Sequence, residues 1–105
     1  MPWGSWINDL PTEFFMVVHI AAFALGAGFA WLAFTRQLSL LGTAFSLFAL
    51  AEAVYMTYHL DWTVFLFAHT IAEVLDLSAF VLVFAAAVYS AVRRPALTPV
   101  EGGHP

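Results

Sequence analysis

Three long apolar stretches, each broken by isolated polar residues, make up most of the chain. The first runs from Phe14 to Thr35 and contains His19. The second, Leu38 to Leu60, carries Glu52 and His59; the third, Trp62 to Val92, carries His69, Glu73 and Asp76. A membrane-crossing helix needs about 20 predominantly apolar residues, at a rise of about 1.5 Å each. The first two runs match that length, and the third is long enough to span with tilt or to extend a turn beyond the bilayer. Open strands leave backbone groups unpaired in lipid, so the runs predict helices. Only Arg36-Gln37 and Asp61 separate the runs, so consecutive helices are expected to be antiparallel neighbours.

Composition sharpens this pattern. Of 105 residues, 63% are hydrophobic and 10% charged, and the mean hydropathy is +0.89. A soluble domain is about a quarter charged, and one this short could not coat its exterior. Lipid is the expected solvent. The net charge of -4, from seven acidic residues against three arginines, removes the basic footprint that nucleic-acid binding requires. It also argues against a polybasic anchor on anionic lipid. With no cysteine, thiolate metal sites, disulfides and catalytic thiols are excluded.

The sequence therefore predicts an all-α integral membrane bundle of three antiparallel transmembrane helices. They fall at about residues 13–35, 38–60 and 62–92 within one domain, 1–94, followed by a flexible tail, 95–105. Trp3, Trp6 and Ile7 mark an interfacial lead-in, with Thr12 as the expected N-cap of the first helix. That lead-in has neither a positive n-region nor a small-residue cleavage site, which argues against a removed signal peptide. Arg36 and Arg93-Arg94 fall on one side, and Asp9, Glu13 and Asp61 on the other. By the positive-inside rule the N-terminus lies outside and the C-terminus in the cytoplasm of a multi-pass protein of the cell (inner) membrane.

Ionisable groups in lipid are costly and usually face protein or a water-filled cavity. His69, Glu73 and Asp76 stand at i, i+4 and i+7, and Glu52, Tyr55, Met56 and His59 also share one stripe. On the first helix, His19 continues into Ala22 and Gly26, with Ala24 and Gly28 beside them. This small-xxx-small pattern lets helix backbones approach closely. Counting from the short loops, His19, Glu52, His69 and Glu73 fall within roughly one helical turn in depth, in the outer half of the bilayer. Tyr55 and His59 lie nearer the outer surface, and Asp76 deeper.

Two histidines and two carboxylates form a ligand set for zinc, iron, manganese or copper. On this reading His19, Glu52, His69 and Glu73 are metal ligands. Tyr55, His59 and Asp76 are hydrogen-bond partners or a proton route. The Glu-x-x-His repeat of di-iron bundles is absent. Haem held by His19 and His69 is a second reading, and a proton or quinone site a third. The bland alternative is interhelical glue, worth about 0.6 kcal/mol per hydrogen bond. No phosphate loop, Ser-His-Asp pattern or HExxH motif occurs.

The run His69-Thr70-Ile71-Ala72-Glu73, closing on Val88-Tyr89-Ser90, and the segment Leu41-Gly42-Thr43-Ala44-Phe45 leading to Glu52 carry a resemblance. In these segments the chain resembles small uncharacterised three-helix membrane proteins of prokaryotes. The resemblance implies three helices with a polar pair formed by the second and third, and no activity. The leading expectation is a metal- or haem-binding accessory subunit of a membrane redox complex, or a homo-oligomer, with lipid and other membrane subunits as partners. The alternatives are an oligomeric proton or cation channel or transporter lined by Glu52, Glu73 and Asp76, and a structural or sensory helix-binding partner without cofactor.

Overall fold

A computed structural model describes residues 2–93; Arg94 and the expected tail, 95–105, lie outside them. The chain is all-helical among those residues. A single 3-10 turn, Ser5–Asp9, precedes α1 (Thr12–Thr35), α2 (Ser39–His59) and α3 (Phe65–Arg93). All three α-helices are long and apolar enough to cross a membrane.

The ends of these helices follow from local chemistry. Gly4, at φ +90°, lets the lead-in turn into its 3-10 helix. Extended Pro11 then caps α1 and accepts a hydrogen bond from the Phe14 amide at 3.0 Å. Thr12, expected as the cap, is instead the first helical residue and makes no capping bond. Proline's fixed φ already directs the chain into the helix. Glu13 sits in the first turn, where a negative charge complements the helix dipole.

Both loops use the same stop. After α1 the Leu38 amide bonds to Ala33 O at 2.9 Å and the Gln37 amide to Phe34 O at 3.1 Å. After α2 the Trp62 amide bonds to Thr57 O at 2.9 Å and the Asp61 amide to Tyr58 O at 3.0 Å. This is the Schellman arrangement, which satisfies orphan carbonyls and requires a left-handed residue. Here Gln37 (φ 66°) and Asp61 (φ 63°) take that role in place of glycine. The second stop, with Thr57 and Thr63 hydroxyls 2.9 Å apart, delays α3 to Phe65 rather than residue 62.

Packing is carried by small residues. The buried positions are Gly26, Ala30 and Ala33 on α1, Gly42, Ala44, Ala49 and Ala51 on α2, and Ala68, Ala72 and Ala79 on α3. No large side chain is fully buried among the described residues, whereas Phe80 and Trp31 are over 70% exposed (72% and 74%). In water this distribution would be inverted. In lipid, whose tails are as apolar as phenylalanine, helices gain by close backbone approach, and small seams supply it.

The seam between α1 and α2 is tight. Phe34 covers Gly42, where an added Cβ would lie 2.6 Å from its ring, and Gly26 lies against Phe48 and Ala49. Further along, His19 meets Glu52, and Phe15 meets His59. Ala44 and Ala51 lie two positions on from Gly42 and Ala49, about 200° around the helix. They therefore form a second seam, on the side where α3 packs.

Helix α2 thus contacts both neighbours, while α1 and α3 have no Cα atoms within 8 Å of each other. The three expected helices thus form an open arrangement with α2 at its centre. Short loops determine which helices are neighbours in sequence, and the two opposed small-residue seams hold α1 and α3 apart. A concave face remains, floored by α2 and walled by α1 and α3.

Candidate functional site

The polar residues gather at one end of that concave face. The His19 Nδ1–H donates to Glu52 Oε1 at 2.6 Å across the α1–α2 seam. The two side chains are only 16% and 12% exposed, and theirs is the one contact of a basic side chain with a carboxylate within 4 Å among the described residues. Such a short bond to a carboxylate belongs to the strong, charge-assisted class. It leaves His19 Nε2 as the ring nitrogen without this partner.

Around the pair the rings form a continuous row. Tyr55 stacks on His19 with centroids 5.2 Å apart, and the Tyr55 hydroxyl makes a long 3.4 Å contact with His69 Nδ1. His59 lies 5.1 Å from His19 and stacks on Phe15, also at 5.1 Å. At the other end His69 stacks on Phe65 at 5.2 Å. Phe15, His59, His19, Tyr55, His69 and Phe65 therefore connect all three helices. Offset stacking between such rings contributes about 0.5–1.5 kcal/mol beyond area burial, so the row holds imidazoles in place as well as covering them.

The structure does not gather His19, Glu52, His69 and Glu73 into one four-ligand shell. His19 and Glu52 touch, His69 joins them through Tyr55, and exposed Glu73 makes no hydrogen bond or ion pair to them. Tyr55 and His59, placed nearer the surface by counting turns, are direct neighbours of His19. Among the described residues no group of three or more His, Cys, Asp or Glu side chains is arranged to hold a metal ion. The cause is the position of α2 between α1 and α3. Equal depth brings side chains together only when they also share a direction around their helices.

Of the packing residues, Gly26 is in close contact and half-buried Ala22 lines the concave face. Gly28 has nothing within 4 Å of where a Cβ would stand, so it makes no seam. Asp76 lines the same face, and its Oδ1 is covered and has no hydrogen-bond partner.

Reading carboxylates and histidines alone overlooks the aromatic members of the row. Their signal is present: Phe15-x-x-x-His19, Tyr55-x-x-x-His59 and Phe65-x-x-x-His69 repeat one spacing on each helix. Four residues apart, ring and imidazole lie on one helix face. No family model matches the chain, and no curated protein or solved structure matches it.

Proposed function

We propose that this is a multi-pass protein of the cell (inner) membrane whose polar centre binds a transition metal ion through imidazole. It would serve as an accessory subunit of a membrane redox complex or act in a homo-oligomer. The carrying observation is the 2.6 Å bond from His19 Nδ1–H to Glu52. Metal-binding imidazoles commonly donate their second N–H to a carboxylate, which sets the tautomer and raises ligand basicity. Glu52 then orients His19 rather than ligating. His59 and His69 are the further imidazoles in the row, with Glu73 reachable only by rearrangement or from a neighbouring copy. Iron, copper and zinc suit imidazole, and haem iron would use the same free nitrogen.

Three helices crossing in alternating directions are supported by the order of contacts: Phe34 with Gly42, Gly26 with Ala49, and His19 with Glu52. An outer N-terminus is supported by Arg36 and Arg93 at one end, against Asp9, Glu13 and Asp61 at the other. The Arg93 guanidinium lies 5.3 Å from the Tyr89 ring centroid, an interfacial anchor pair. In intact cells, an impermeant maleimide is expected to label Asp61→Cys and spare Gln37→Cys, in a chain that otherwise has no cysteine. The opposite labelling would reverse the orientation.

Metal analysis and an absorption spectrum of protein purified without chelator test the centre. The expected result is a stoichiometric metal, with a Soret band if it is haem, lost in His19→Ala. A colourless, metal-free protein would overturn the reading. The unpartnered Asp76 and exposed Glu73 favour a second reading, an oligomeric proton or cation path lined by Glu52, Glu73 and Asp76. Liposome proton or cation flux abolished by Glu73→Gln, with no bound metal, would establish it instead.

A further inference from the structure

Of the six histidine and acidic residues inside the apolar runs, His19, Glu52, His59 and Asp76 are half-buried by the fold, whereas His69 and Glu73 are exposed. These two stand one turn apart on α3. Glu73 lies on the stripe Leu66, Thr70, Glu73, Leu77, Phe80 and Phe84, all of it exposed. Its four large apolar members are between 65% and 72% exposed, and every other large apolar residue from Phe65 to Val88 reaches 56% at most. This is the outermost line of α3, and in lipid its one ionisable member lacks the water that an exposed carboxylate needs. Glu73 makes no hydrogen bond or ion pair, not even with His69 on its own helix. The His69 ring instead stacks on Phe65, with the Tyr55 hydroxyl 3.4 Å from Nδ1. A phenol donating there places the ring hydrogen on Nε2, which then needs an acceptor. Helix α3 thus presents to lipid a donor and an acceptor, each without a partner, about 6 Å apart along its axis.

We infer that this stripe is the contact between two copies of the chain, with His69 of each donating to Glu73 of the other. The inference rests on the membrane-spanning reading and specifies its homo-oligomeric form; it does not require a bound metal. The stripe alternates steps of four and three residues, as a heptad seam does. Two copies related by a two-fold axis along the membrane normal carry their α3 helices parallel and at equal depth, crossing at about 20°. In such a contact residue i meets j and j meets i. Each His69 then stands one turn in depth from the partner's Glu73, the same step that i, i+4 pairs bridge on a single helix. One symmetry operation satisfies both donors and both acceptors, whereas a different subunit would have to bring its own pair at matching depths. Leu77, Phe80 and Phe84 complete the contact, which in lipid gains by fit rather than by escape from water. The lipid side of α1 offers no such complementarity: His19, the one histidine or acid of its apolar run, already bonds to Glu52.

The test uses full-length chains labelled with donor or acceptor dye at Asn8→Cys, mixed in phosphatidylcholine vesicles and diluted with lipid. Energy transfer in the parent chain is expected to follow a monomer–dimer equilibrium. Glu73→Leu and His69→Phe each remove both bonds of the dimer, so each is expected to weaken association about tenfold. Phenylalanine keeps the stack on Phe65. A mixture of the Glu73→Leu and His69→Phe chains regains one bond and should associate about threefold more tightly than either variant with itself. Mixing cannot restore a bond within one helix, and the recovery shows that both variants are folded. In a chain with no other cysteine, Leu77→Cys should oxidise to disulfide-linked dimers. Ser78→Cys, also exposed but about 100° around the helix, should not. A monomeric parent chain would overturn the inference and leave the face to a different subunit. Undiminished association of Glu73→Leu, or no gain on mixing, would also overturn it. So would loss of association in Glu73→Leu but not in His69→Phe, which would mark a pair of carboxyl groups. The dimer should persist after chelation; dissociation there would make metal the bridge and overturn the inference. A monomer that holds metal fails only this inference, and a metal-free dimer fails only the metal centre.

Discussion

Gly26→Leu is expected to loosen α1 from α2 and cost about 1–3 kcal/mol, the usual penalty for overpacking a tight contact. A Cβ at Gly26 would lie 2.8 Å from Phe48 and 3.2 Å from the Ala49 Cβ. The phenylalanine ring can turn away, but the helix carrying Ala49 can yield only by moving. Lipid offers no compensation, because association depends on close approach rather than on escape from water. Gly28→Leu is the control, since its added side chain enters open space, and a shift within about 0.5 kcal/mol is expected. Reversible unfolding in mixed micelles measures both. His19 lies two turns from Gly26 on the same helix face, so the loosened seam should also lengthen the His19–Glu52 bond. The His19 ring proton resonances report that change. Equal costs at Gly26 and Gly28 would mean that the α1–α2 seam runs elsewhere.

The spans are legible in the sequence because lipid tolerates so few polar groups that any long apolar run stands out. Their ends are less so. Gln37 and Asp61 adopt the left-handed turn without the glycine that usually announces it, and the third helix consequently starts three residues later than its hydropathy suggests. The seams are harder still. Buried Ala51, Ala68 and Ala72 have the same letter as exposed alanines such as Ala21 and Ala24, and only contact separates them. Depth is roughly readable from loop length: His19 and Glu52, expected at one level, touch, while Tyr55, expected nearer the surface, also lies against His19. Direction around the helix is not, because two short loops leave open whether α3 returns to α1 or passes to the far side of α2. Glu73 illustrates the difference: it is expected at the level of the centre yet is exposed and makes no hydrogen bond with it. The threefold aromatic-x-x-x-His spacing contained more of the site than the ionisable residues alone, since stacked rings carry the row from α1 to α2 and the Tyr55 hydroxyl carries it on to His69 of α3.

The His19–Glu52 pair is where glue and function give different numbers. Interhelical hydrogen bonds in membranes average about 0.6 kcal/mol by double-mutant cycle, whereas bonds to charged groups reach about 1.5–3 kcal/mol. The 2.6 Å separation and the low exposure of both side chains favour the upper class. A cycle through His19→Phe, Glu52→Leu and the double variant is therefore expected to give a coupling of about 1.5 kcal/mol or more. Phenylalanine preserves the stack on Tyr55, so the cycle isolates the bond and not the ring. Metal then separates tight packing from a working site. At free metal one hundred times its dissociation constant, a ligand that binds only the folded chain adds about 2.7 kcal/mol. The parent chain should gain that amount and His19→Phe almost nothing. Glu52→Gln can still hold the imidazole, but less firmly, and losing an orienting carboxylate typically weakens metal about 10–100-fold. At the same metal concentration its gain should fall below about 1.5 kcal/mol. A coupling near 0.6 kcal/mol, together with identical metal responses in all four chains, would reduce the pair to a structural clasp between α1 and α2.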